Sequence, residues 1–221
     1  MKGGGPWRPG EWTDDTAMAI AIGEAIATGA DARDPAVQDA IVGRWLEWSL
    51  AAKDVGIQTR SVLSGAARGG ISAERARAEA ANVHQRTGRS GGNGSLMRTA
   101  PLALAYVDDE EALVEAARAI SELTHFDPDA GDACVLWTLA IRHAVLTAEL
   151  DVRVGLRHLD PDRRELWSER LDAAESSRPA DIAKNGWTVA ALQAAWSAIV
   201  HTAPGPEALR ADHLRLGLDA A

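Results

Sequence analysis

The 221-residue sequence predicts an all-α fold, a compact multi-helix bundle. Three observations point there. Apolar residues recur at helical spacing in almost every patterned segment. No segment shows the period-two alternation of a half-buried strand, and the loops between patterned segments are rich in Gly, Pro and Asp. No fixed-period repeat occurs, which disfavours a solenoid. Nor does composition shift sharply enough to mark a boundary, so residues 1–221 are predicted to form one helical domain.

The first helix is predicted from Asp14 to about Thr28. In "EWTDDTAMAIAI" (11–22), Thr13 is a good N-cap, and Asp14 and Asp15 suit the positive end of the helix dipole. Met18, Ile22, Ala25 and Ile26 share a face, and Gly29 is a natural stop. The second helix lies in "DPAVQDAIVGRWLEWSLAAK" (34–53), with Asp34 as N-cap and Pro35 at the first helical position. Its stripe is Val37, Ile41, Trp45 and Trp48.

Next comes a polar helix over 72–86 capped by Ser72, then an apolar helical run after the loop "TGRSGGNGS" (87–95). "DDEEALVEAARAISELTH" (108–125) has acids in its first turn. "DPDAGDACVLWTLAIRHAVLTAE" (127–149) is capped by Asp127 and is rich enough in Ala, Leu and Val to be the central helix. Beyond a polar connection over 151–163, the segments 161–176, 187–201 and 206–220 complete the set. "GAARGG" (65–70) is predicted as a loop.

Composition limits function. Hydrophobic residues make up 46% and charged residues 25%, as in ordinary soluble proteins. A net charge of −9 without a basic block disfavours sequence-independent nucleic-acid or anionic-membrane binding, and no sequence-specific nucleic-acid partner is expected. Cys134 is the only cysteine, so no intrachain disulfide forms; its apolar surroundings suggest a buried small hydrophobe. No apolar run is long enough to span a bilayer, and "MKGGGPWRPG" lacks the apolar core of a signal peptide. A cytoplasmic location is expected.

Three clusters carry chemistry. The oxygens of Thr13, Asp14 and Asp15 serve either as helix-capping groups or as ligands for a hard cation such as Mg²⁺ or Mn²⁺. In "RSGGNGSLMRTAPLALA" (89–105), glycines let the backbone approach a ligand, and consecutive amides at a helix start make an anion nest. Arg98 could add a charged fork for phosphate. The alternative is a plain surface turn. In "THFDPDAGD" (124–132), His125 stands just outside a helix, free to point into a cleft or to act as a structural hydrogen-bonder. HExxH, CxxC, GxSxG and Walker-type motifs are absent, which removes the common zinc, redox, hydrolase-elbow and P-loop readings.

Taken in order, "GEWTDDTAM", "GNGSLMRTAPLAL" and "THFDPDAGDACVLW", with "NGWTVAALQAAW" (185–196), resemble the ADP-ribosylglycohydrolase family over nearly the whole chain from about Gly3. The resemblance implies an all-α bundle that hydrolyses the bond between ADP-ribose and an acceptor, using two Mg²⁺ or Mn²⁺ ions in a central cleft. It implies Thr13, Asp14 and Asp15 as metal ligands, with the two aspartates also catalytic. It implies Asn93, Gly94, Ser95, Met97 and Arg98 on the ADP-ribose, His125 as a ligand contact and Trp187 as a face for the base. ADP-ribose or an ADP-ribosylated substrate is thus the expected partner.

Two family elements are not found: an initial "GDALG"-like helix and a final "GGDTDT"-like segment, which completes the metal site. The sequence therefore leaves three outcomes open: hydrolysis, ADP-ribose or nucleotide binding without turnover, and a structural role for the scaffold.

Overall fold

The structure is a computed structural model that describes residues 6–202 and 210–220. Its described residues form ten α-helices and three short 3₁₀ turns. In chain order the helices are α1 (Asp14–Ile26), α2 (Pro35–Ala51), α3 (Ile57–Ala67), α4 (Ala73–Thr87) and α5 (Ala100–Ala105). They continue with α6 (Glu110–Glu122), α7 (Pro128–Thr147), α8 (Pro161–Ser176), α9 (Thr188–His201) and α10 (Arg210–Ala220). The 3₁₀ turns are Leu96–Arg98, Val152–His158 and Pro179–Asp181.

The expected helices are present, with ends a few residues from the sequence estimates. Asp34, Ser72, Asp109 and Asp127 accept hydrogen bonds from the first-turn amides of α2, α4, α6 and α7. These bonds satisfy amides that have no partner inside a helix. Gly29 stops the chain after α1 with φ +83°. The first part of the expected last helix, 206–209, lies outside the described residues.

Three expectations change. Residues 57–67 form α3 where the sequence predicts only a loop at 65–70, and Val62, Leu63 and Ala66 bury its inner face. The polar connection after α7 contains a 3₁₀ turn whose Val152 is fully buried. Thr13 makes no capping hydrogen bond; its hydroxyl donates to Asp15 Oδ2 at 2.9 Å. A charged acceptor two residues away holds that hydroxyl, because hydrogen bonds to ionised groups are the stronger ones.

α7 is the central helix, as expected. Ala130 to Leu136 are all buried, and α5, α6 and α9 pack around it. Cys134 lies in that buried run. On the other side, α2 lays Ile41 and Trp45 against α1, and Trp45 Nε1 donates to the Met18 carbonyl at 3.1 Å.

An ion network ties α8 to the first turns of α7. Buried Asp132 accepts from Arg118 Nη1 at 2.8 Å, Arg163 Nε at 2.6 Å and Trp167 Nε1 at 3.1 Å. Asp129 accepts from Arg170 Nη1 at 2.8 Å and also pairs with Arg163. Burial alone would raise the Asp129 pKa, but these guanidinium bonds hold it below the usual carboxylate range. These bonds tie down the end of α7 whose preceding residues form part of the cleft described next.

Candidate active site

A cleft of ≈ 830 Å³ lies where the glycine loop, the start of α1, the start of α3 and the residues before α7 and α9 converge. That volume is within the range of small-molecule and cofactor sites, about 300–1,000 Å³. Asp14, Asn93, Gly94, Met97, His125 and Trp187 all line it. Six of the ten residues expected at the site therefore share one cavity.

The floor is the glycine loop lying on His125. A Cβ at Gly94 would stand 3.0 Å from His125 Cε1 and 3.5 Å from Thr59 Oγ1, and a Cβ at Gly92 would stand 3.2 Å from His125 Nε2. Neither glycine has a positive φ, so close approach is what calls for glycine here. His125 is almost fully buried yet reaches the cleft floor. Burial, then the nearby Arg98 charge, holds its pKa well below 6.5, so the ring is neutral at physiological pH.

The loop is held from the far side by the segment before α9. Asn93 N donates to the Gly186 carbonyl at 3.1 Å, and Thr188 N donates to the Gly91 carbonyl at 2.8 Å, closing an isolated antiparallel bridge. Asn93 Nδ2 also donates to the Asn185 carbonyl at 2.9 Å. This bridge carries Trp187 to the rim, where it is half-exposed and Arg170 stacks against its ring at 5.7 Å.

Asp14 is half-buried at the cleft edge, and burial, then the charge of Asp15, raises its pKa above the usual carboxylate range. Asp15 is exposed and lines a separate groove, of which Met97 is also a wall, with Ile20 and Pro101. Thr13 faces a third depression beside Trp48 and Lys53. Three oxygen donors are half of what Mg²⁺ takes, about six. No three His, Cys, Asp or Glu side chains converge as a metal-holding group among the described residues. The described residues therefore do not make up the two-ion site that the resemblance implies.

Ser95 and Arg98 are displaced from their expected role. Both are fully buried behind the loop and neither lines the cleft. Arg98 stacks on Trp45 at 3.9 Å and donates through Nη2 to the Ile120 carbonyl and to Thr124 Oγ1. A guanidinium held there cannot fork a phosphate in the cleft. Ser95 Oγ is within 3.6 Å of Cys134 Sγ, as an internal contact.

Other residues reach the cleft without a sequence signal. Gln58 and Thr59 come with α3; Gln58 Nε2 donates to the Ser90 and Thr124 carbonyls, and its Oε1 stands 3.7 Å from a Cβ built at Gly92. Arg89 is the only Arg or Lys among the described residues on the cleft wall. Asp127, read as a cap, does cap α7 at 2.9 Å and also lines the cleft beneath Gly91.

The comparisons with known proteins bear on the family and the fold. A model of the ADP-ribosylglycohydrolase family matches residues 1–221. The chain is similar to the ADP-ribosylarginine hydrolase Tri1 of Pseudomonas putida (strain GB-1), with 30% identity over 208 residues. That match covers 90% of this chain and 53% of the relative, so the chain spans about half of the relative's length. Among solved structures it is similar to a chain of an ADP-ribosylglycohydrolase-related protein complex, with TM-score 0.61 and 26% identity, covering 100% of this chain and 70% of that one. The helical fold, the family match over the whole chain and these two relatives agree, and the chain belongs to the ADP-ribosylglycohydrolase family.

Proposed function

We propose that the cleft binds an ADP-ribosyl group and that Asp14 serves the hydrolysis of the bond joining it to an acceptor. The observation that carries this reading is the meeting of the glycine loop, His125 and Asp14 on one cavity of suitable size. Loop amides and the His125 ring suit the phosphate and ribose oxygens, and Trp187 on the rim offers a face for the base.

In the reaction, a water oxygen bonds to the anomeric carbon. The bond to the acceptor breaks, and its electron pair leaves with the acceptor atom, which takes up a proton. Positive charge builds on the sugar in such transition states. In this reading the Asp14 carboxylate, at the cleft edge, stabilises that charge and takes the proton released by the water. The name of the Pseudomonas relative makes an arginine side chain the first acceptor to test.

A requirement for Mg²⁺ or Mn²⁺ is part of the same proposal. Thr13, Asp14 and Asp15 offer one side of a site, and a cation there would offset both the burial and the Asp15 repulsion that raise Asp14. The donor set is incomplete among the described residues, and this favours a second reading: binding of ADP-ribose without turnover.

Release of ADP-ribose from an ADP-ribosylarginine peptide separates the two. Hydrolysis by the chain with Mg²⁺ or Mn²⁺, reduced at least about a hundredfold by Asp14→Asn, is the expected outcome. Binding without release establishes the second reading instead.

A further inference from the structure

We infer that Thr124 and Arg98 fix the tautomer of His125, so that its Nε2–H is a permanent donor to an acceptor oxygen of the ligand above the glycine loop. The proposal rests on the functional reading for its ligand, and on hydrogen-bond direction for the rest.

Arg98 is fully buried, and its Nη2 donates to Thr124 Oγ1 at 2.7 Å and to the Ile120 carbonyl at 3.1 Å. A guanidinium has donors and no acceptor. Thr124 Oγ1 therefore receives a hydrogen from Arg98 and still has its own to place. Thr124 is also fully buried, and a buried hydroxyl without an acceptor is costly. Among its recorded contacts the acceptor is His125 Nδ1, at 2.7 Å. A Thr124 hydroxyl that donates to Nδ1 occupies the lone pair there, which leaves the proton of a neutral imidazole on Nε2.

Nε2 is the ring nitrogen that faces the loop. It stands 3.2 Å from a Cβ built at Gly92 and 3.2 Å from one built at Gly94. The guanidinium is clamped by the Trp45 ring at 3.9 Å, so the head of the relay has little freedom to move. The depressed His125 pKa agrees with a ring that stays neutral and keeps one donor and one acceptor. Arg98 is thus a positioning residue acting through Thr124, and its separation from the cleft follows from that task.

Long-range ¹H–¹⁵N spectra of the ligand-free chain at neutral pH, assigned with His125→Gln, read the tautomer directly. The expected result is an unprotonated Nδ1 and a protonated Nε2. A protonated Nδ1, alone or in an imidazolium, overturns the proposal.

Thr124→Val removes the hydroxyl at nearly constant volume. It should mix or switch the tautomer and weaken ADP-ribose binding about five- to tenfold, while Thr124→Ser restores both. A Val variant that is folded and keeps the parental ring pattern or affinity also overturns it. If the Val variant does not fold, the parental spectrum and the Ser variant still decide. Failure of the parent to bind ADP-ribose counts against the functional reading alone, because the tautomer is read without ligand.

Discussion

A methyl at Gly94 would press on His125, 3.0 Å from Cε1, so the ring must give by a few tenths of an ångström to admit it. Gly94→Ala should weaken ADP-ribose binding about tenfold or more, because the His125 ring that must yield is held from behind by Thr124. Parental affinity in calorimetry would show that the loop does not need its close approach. Asp14 permits a test of opposite sign. Its folded pKa is raised, so the native state resists ionisation more than the unfolded chain does. The stability linked to this group is fully present below the unfolded carboxylate pKa and is lost as pH rises through the folded one. Asp14→Asn should therefore leave the melting temperature at neutral pH unchanged or higher, within about 1 kcal/mol, since a lost helix-dipole contact offsets part of the gain. The advantage should shrink on acidification. A variant less stable than the parent at neutral pH contradicts the placement of this charge.

Among the elements, α2, α7 and α8 were legible because each combines a cap or first-turn proline with a long patterned run. α3 was not. "IQTRSVLSGAA" has a narrow apolar stripe, no capping side chain at Gly56 and glycines running past its end, so local signals favour a loop. Packing against α2 and α4 decides the matter, and Gln58 and Thr59 reach the site with it. Two glycines test element packing in opposite directions. A Cβ at Gly155, in the turn that follows α7, would stand 3.0 Å from Leu136 Cα, which is backbone of α7 and cannot yield. Gly155→Ala should lose about 1–3 kcal/mol. Gly43, inside α2, has open space around a Cβ, so Gly43→Ala should gain about 0.5–1 kcal/mol from helix propensity. Urea unfolding with an unchanged m-value measures both. Equal effects at the two positions would mean that turn and helix do not pack as described.

For the whole molecule, the cleft is a product of tertiary structure. The glycine loop and the segment before α9 are each readable as motifs, but their antiparallel bridge joins residues more than ninety apart, a pairing that local patterns do not encode. The same holds for Arg98. Its type and place in the sequence suggest phosphate binding, whereas the packing of α2 puts Trp45 over it and turns it inward. Arg89 stands on the cleft wall instead. The expected cation site is where sequence and structure together stop short: Asp14 lines both the cleft and the depression that holds Thr13 and Asp54, Asp15 lines a separate groove, and no three acid, histidine or cysteine side chains converge as a metal-holding group among the described residues. Calorimetric titration of ADP-ribose into the chain, with Mg²⁺ or Mn²⁺ and again with EDTA, tests the central claim most directly. Saturable binding with the cation, weakened by EDTA and by Gly94→Ala, is the expected result. No binding heat in either condition, from a chain shown by circular dichroism to be helical, would contradict it.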